Sequence, residues 1–144
     1  LASDRGAHSL PVMRSLILLF LATPLSAQSW TLGPFEKPRD VNPVLAPNAQ
    51  STFISPMNDS VVRWEEYATF NPAAVVRDGR IFLLYRAEDA SGDEKIGGHT
   101  SRLGLATSAD GLRFTRHAAP VLYPARDAQR ANEWPGGVED PRIG

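Results

Sequence analysis

Ala73-Ala74-Val75-Val76-Arg77-Asp78-Gly79-Arg80-Ile81-Phe82-Leu83-Leu84-Tyr85-Arg86 is the stretch that decides the fold. Two β-prone runs flank Asp78-Gly79, and an Asp-Gly pair between such runs is among the strongest short-range hairpin signals. Strands are expected over 73–77 and 81–86. Working outward, the polar, glycine-containing stretch 88–100 reads as a loop. Residues 101–107 read as a third strand, Asp110-Gly111 as a turn, and 112–116, with period-two alternation, as a fourth strand. Four strands within about 45 residues, with no helix between them, make an antiparallel meander of the size and order of one propeller blade. Half of a β-sandwich has the same pattern. No second copy of the unit follows, and one four-stranded sheet leaves both faces uncovered. The isolated chain is therefore expected to fold poorly.

Upstream, residues 28–62 carry Pro34, Pro38, Pro43, Pro47 and Pro56 and keep neither a helical nor a strand period. They read as an extended arm, with Trp30, Phe35, Phe53 and Ile54 as its anchors. Before the arm, Met13-Arg14 and the apolar run 15–22 have the charge and length of a secretory leader. Thr23-Pro24 breaks the run, and Ala27 offers a cut before Gln28. The run is far shorter than the roughly 20 residues needed to span a bilayer, and no Cys follows Ala27 to carry a lipid. The expected product starts at Gln28, is exported to the periplasm or medium, and has no stable membrane anchor. It would hold 13 basic and 15 acidic residues. The chain opens on Leu1 and closes on Pro141-Arg142-Ile143-Gly144, inside an ordered-looking motif, which predicts a piece of a longer reading frame.

The whole chain of 144 residues has 15 basic and 16 acidic side chains, and this balance argues against a nucleic-acid partner. With no Cys, disulfides, zinc thiolates and cysteine nucleophiles are excluded. The three histidines, His8, His99 and His117, share no ligand spacing, so no metal site is expected. His99, Ser101 and Asp110 do not have the spacing of a nucleophilic triad.

The densest chemistry lies in Glu133-Trp134-Pro135-Gly136-Gly137-Val138-Glu139-Asp140-Pro141-Arg142. The glycines let backbone approach a ligand closely. In an extended segment Glu139 and Asp140 point to opposite sides, so one of them faces a given pocket. Arg142 then falls on the side of Asp140 and would hold its carboxylate and lower its pKa. An acidic turn with a surface salt bridge is the bland alternative. A second cluster, Trp64-Glu65-Glu66-Tyr67 followed by Phe70-Asn71-Pro72, has the aromatic and carboxylate content of a sugar site, or of a packed ring beside a solvated acidic pair. In a third, Arg86 ends an apolar strand ahead of Glu88-Asp89, where it faces a cavity or snorkels to the surface.

Taken in order, Phe70-Asn71-Pro72-Ala73, Leu83-Leu84-Tyr85-Arg86, Ser101-Arg102-Leu103-Gly104-Leu105-Ala106-Thr107-Ser108 with Asp110-Gly111, and Gly137-Val138-Glu139-Asp140-Pro141-Arg142 resemble glycoside hydrolase family 130. The resemblance implies a five-bladed β-propeller acting on β-mannosides, of which this chain covers an arm and about the first blade. It implies Asp140 as the general acid, with Asn71 and Arg86 binding the terminal mannose. Glu139 and Arg142 complete the candidate substrate-binding set. The family contains inverting β-1,2-mannosidases and β-mannoside phosphorylases. Inversion needs roughly 6.5–9.5 Å between acid and activating group to admit the incoming molecule. Asp140 must carry a proton when it acts, so a pKa near working pH, raised by partial burial, is expected.

The leader favours hydrolysis, because an exported enzyme would lose the sugar phosphate that phosphorolysis conserves. The expected function is thus an exported inverting hydrolase releasing β-linked, foremost β-1,2-linked, mannose from a glycan. The alternatives are a phosphorylase, with inorganic phosphate as co-substrate, and a non-catalytic carbohydrate-binding propeller. No other cofactor is implied, and the oligomeric state is left open.

Overall fold

The computed structural model describes residues 32–92 and 97–144. The leader expected over 13–27 and the anchor Trp30 lie outside these residues. The chain divides into two compact units, Leu1–Phe35 and Glu36–Gly144, and all the elements below belong to the second.

Among its described residues the second unit is all-β apart from one helical turn. Strands β1 (Phe53–Ser55) and β2 (Ser60–Val62) form a small hairpin. Strands β3 (Ala68–Arg77), β4 (Arg80–Asp89), β5 (Thr100–Ser108) and β6 (Thr115–Arg116) form an antiparallel meander in sequential order. The turn of helix α1 (Arg130–Glu133) comes after the sheet. Asp78 and Gly79 both have positive φ, 50° and 71°, as a type I′ turn requires, and Arg77 pairs with Arg80 across it.

Besides the start of β3 at Ala68 rather than Ala73, the strands differ from the sequence reading in three ways. First, β4 runs on through Glu88 and Asp89, and β5 begins at Thr100, so both ends of the expected loop 88–100 belong to strands. Polar residues remain in the ladder because each has a partner. Asp89 pairs with Arg102, both 1% exposed, and Glu88 pairs with Arg86. Secondly, the fourth strand shrinks to Thr115–Arg116. The Asp110 carboxylate accepts from the backbone N–H groups of Leu112 and Arg113 at 2.8 and 2.9 Å, which curls those residues into the turn. Thirdly, the expected strandless stretch 28–62 contains the β1–β2 hairpin. Of its expected anchors, Phe53 packs on the core, while Phe35 and Ile54 are exposed. The arm is tied by Leu45, whose carbonyl accepts from Thr69 Oγ1 at 3.2 Å, and by Asn48, whose N–H donates to the Glu65 carbonyl at 2.8 Å.

Alternation along β4 and β5 gives the sheet two different faces. One carries Tyr85, Ala87 and Ala106, packed against Val62 and Trp64 with Leu45, Phe53 and Phe114 at the margin. Tyr85 lies opposite Gly104, where a β-carbon would come within 2.3 Å of its ring. The ring stacks on Trp64 and its hydroxyl donates to the buried Glu65 at 2.9 Å. Burial, and then the Glu65 charge, push the Tyr85 pKa up. The Trp64-Glu65 pair is thus part of the core, and Glu65, expected to be solvated or to meet sugar, is fully buried against Tyr85 and Arg116. The other face carries Phe82, Leu84 and Leu105, which line an open hollow with Val75 and Ile143. At its far end lie Arg86, Glu88 and Ser101.

Candidate active site

The site is assembled by a bulge in the edge strand. Phe70 pairs with Arg86 and Ala73 with Leu84, so Asn71 and Pro72 together oppose Tyr85. Pro72 has no N–H for the ladder, and Asn is among the few residues that tolerate the φ of +44° seen at Asn71. The bulge re-aims Asn71, whose Nδ2 donates to Asp140 Oδ1 at 2.8 Å.

Asp140 arrives from 69 residues away on a segment laid along the start of β5. Thr100 Oγ1 donates to the Pro135 carbonyl at 3.0 Å, Ser101 N–H to the Gly136 carbonyl at 2.9 Å, and Val138 N–H to the Ser101 carbonyl at 2.9 Å. Gly137 is obligatory here. Its φ is +103°, and a β-carbon would sit 2.1 Å from the Ser101 carbonyl oxygen.

Arg86 joins the two parts. It donates to both Glu139 oxygens at 2.9 Å and to Asp140 Oδ1 at 3.3 Å. Further in, it meets Glu88 Oε1 at 2.6 Å and Ser101 Oγ at 3.0 Å, and its guanidinium lies 4.8 Å over the Phe70 ring. Burial opposes its charge, but Glu88, Glu139 and Asp140 outweigh burial and push its pKa up.

Four of the five candidate residues, Asn71, Arg86, Glu139 and Asp140, are therefore in direct contact. Arg142 takes another course. It donates to the carbonyls of Asp140 and Pro141 at 3.2 and 3.0 Å, and its guanidinium makes no hydrogen bond to the Asp140 carboxylate, although its charge still contributes to lowering the Asp140 pKa, as expected. The expectation that Glu139 and Asp140 face opposite ways fails for a backbone reason. Asp140 has φ +43°, so the segment is not extended and both carboxylates reach one guanidinium. The expected elevation of the Asp140 pKa is also reversed. Its side chain is 42% exposed, and the Asn71 amide, followed by Arg86, holds the carboxyl below its ordinary value against a smaller desolvation effect.

The sequence places Glu88 in the third cluster and Ser101 in one of the family motifs but gives neither a role at the site. The available signal was spacing: Glu88 lies two residues from Arg86 on one strand and therefore on the same face, and it pairs with Ser101 in the ladder. His99, Ser101 and Asp110 do not meet. His99 Nδ1 lies 3.1 Å from the Asp89 carbonyl, and Asp110 accepts from the Ser108 hydroxyl. Beside the contact, Asn71, Pro72, Ala73, Ala74, Pro141, Arg142 and Ile143 line an open hollow of about 520 Å³.

Residues 37–144 match the family 130 glycoside hydrolase model, described as beta-1,4-mannooligosaccharide phosphorylase. A 1,2-beta-oligomannan phosphorylase of Thermoanaerobacter sp. (strain X514) is 38% identical over 101 residues, covering 70% of this chain and 29% of that protein. The same strain's beta-1,2-mannobiose phosphorylase is 35% identical over 96 residues, 62% of this chain and 30% of its own. A solved structure described through family members that are glycoside hydrolases targeting beta-1,2 mannosidic linkages in Candida mannan is 54% identical, with a TM-score of 0.72. It covers 79% of this chain and 32% of its own. A glycosyl hydrolase from Bacteroides ovatus is 52% identical, with a TM-score of 0.73 and coverage of 80% and 32%. The chain thus spans about 30% of the length of the curated relatives it matches. With three quarters of its residues inside the family match and the Asn71–Arg86–Asp140 contact assembled, the chain belongs to glycoside hydrolase family 130.

Proposed function

We propose that this chain supplies the arm and first blade of a five-bladed β-propeller, part of an exported inverting β-mannosidase that releases β-1,2-linked mannose from the ends of mannosides. The observation that carries the reading is the Asp140 carboxylate held between the Asn71 amide and the Arg86 guanidinium at the edge of an open hollow. Asn71 and Arg86 bind the terminal sugar. Water attacks the anomeric carbon from the face opposite the leaving group and gives a proton to a general base of the full-length protein, the glycosidic C–O bond breaks with inversion, and Asp140 supplies the proton taken up by the leaving oxygen, relayed through a sugar hydroxyl.

The carboxyl must first hold that proton. A sugar hydroxyl that displaces the Asn71 amide from Oδ1 and excludes water removes the leading cause of the lowered pKa and adds desolvation, and both changes raise it. Hydrolysis is supported by the 54% and 52% identity to two solved structures, one described through family members that are glycoside hydrolases targeting beta-1,2 mannosidic linkages and one as a glycosyl hydrolase. It also agrees with the secretory leader that the sequence suggests over 13–27. The names of the curated relatives support the second reading, a phosphorylase that uses inorganic phosphate in place of water.

The deciding experiment incubates the full-length protein with β-1,2-mannobiose, with and without inorganic phosphate, and follows products by NMR. Mannose released without phosphate, first as the α-anomer, is the expected result. The Asp140→Asn variant should lose about 10²- to 10⁴-fold in rate. Mannose 1-phosphate formed only with phosphate would replace hydrolysis with phosphorolysis. Binding without turnover, equal in wild type and Asp140→Asn, would mean a carbohydrate-binding propeller.

A further inference from the structure

A guanidinium has five N–H donors in a rigid fork, and Arg86 makes five contacts with acceptors. Nε donates to Ser101 Oγ, one terminal nitrogen to Glu88 Oε1 and Glu139 Oε1, and the other to Glu139 Oε2 and Asp140 Oδ1. The contacts are unequal in exposure. Glu88 and Ser101 are 8% and 1% exposed, whereas the Glu139 and Asp140 side chains are about half open. The Ser101 hydroxyl also donates to Glu88 Oε1 at 3.1 Å, closing a triangle on the inner edge of the fork.

The structure assigns Glu88 and Ser101 as positioning residues that fix the inner edge of the Arg86 guanidinium so that its outer edge meets Glu139 and Asp140. This inference rests on the proposed reading of Arg86 and Asp140 as the reacting site. Arginine has a long, flexible stem, and productive geometry tolerates errors of only about 0.5 Å. Two acceptors on neighbouring strands remove the rotation about the stem that the half-open carboxylates could not restrain alone. Ser101 acts on both sides of the contact. Its main chain holds Gly136 and Val138, just ahead of the pair Glu139-Asp140, while its hydroxyl holds Arg86. The two roles can be separated, because Ser101→Ala removes the hydroxyl and leaves the backbone bonds.

The test uses the full-length protein. Crystal structures of Glu88→Gln, Ser101→Ala and the double variant are compared with wild type in the absence of sugar. The double variant should displace the guanidinium from Asp140 by about an ångström, and an unmoved guanidinium would overturn the assignment. Kinetics with β-1,2-mannobiose give the second readout. Each single variant should lose about tenfold in kcat/KM, with Glu88→Gln, which keeps an acceptor oxygen, retaining more than Glu88→Ala. Residues that act through Arg86 have little left to do once it is changed, so in an Arg86→Lys background the same substitutions should cost under about twofold. Equal losses in both backgrounds would mean a purely structural role. If wild type turns over no mannoside, the functional reading fails, and the guanidinium position in the crystals still decides the positioning.

Discussion

Asp140 Oδ1 accepts two hydrogen bonds, from Asn71 and Arg86, and both favour its charged form. Asn71 supplies the larger effect, so Asn71→Ala should raise the Asp140 pKa toward the ordinary carboxylate value. The sign follows from the cause: with a donor to the carboxylate removed, the protonated form persists to higher pH. A carbon-13 titration of the side-chain carboxyl in the full-length protein measures this, and a pKa unchanged or lower would contradict the geometry. The types of these residues were legible in the sequence, and so was their order. What spacing alone could not give was the bend. An extended chain sends Glu139 and Asp140 apart, whereas φ of +43° at Asp140 turns both toward Arg86. Arg142, assigned to the carboxylate by the same extended-strand geometry, meets backbone carbonyls for the same reason.

At the level of elements, the Asp78-Gly79 hairpin was readable because two residues with φ above zero satisfy a local rule. The ends of the strands were not, because partners distant in sequence decide them. Glu88 and Asp89 remain in β4 through Arg86 and Arg102, whereas Leu112 and Arg113 leave β6 because Asp110 captures their N–H groups. Those N–H groups, and then the Ser108 hydroxyl, lower the Asp110 pKa to about 2. The stability linked to this turn is therefore present above the ordinary carboxylate pKa and is lost as pH falls toward 2. The buried pair gives a sharper test. Asp89→Ala leaves Arg102 charged and unpaired in a fully buried position, which should cost roughly 3–5 kcal/mol in the full-length protein. Chemical denaturation measures this, and a loss below about 1 kcal/mol would show that water reaches Arg102.

For the molecule as a whole, the two faces of the meander are unequally covered. Tyr85, Ala87 and Ala106 are sealed by Trp64, Val62 and the arm, while Phe82, Leu84, Leu105 and Val75 line an open hollow. An isolated chain with one sheet face uncovered should show a broad, non-cooperative thermal transition, read by calorimetry. A sharp, reversible transition would mean that the covered face suffices. The resemblance of the chain's motifs to family 130 pointed to Asn71, Arg86, Glu139, Asp140 and Arg142, and the sequence by itself determined what local rules control: an all-β meander and its first hairpin. Strand periodicity, turn chemistry and residue type act over a few residues, so these features survive without knowledge of the rest. Only the tertiary structure decided that the Asn71-Pro72 bulge turns an amide onto a carboxylate 69 residues away, that Glu65 belongs to the core, and that Glu88 and Ser101 grip the inner edge of Arg86. Each of these is a contact between segments distant in sequence, set by ladder register and by which groups are withdrawn from water together.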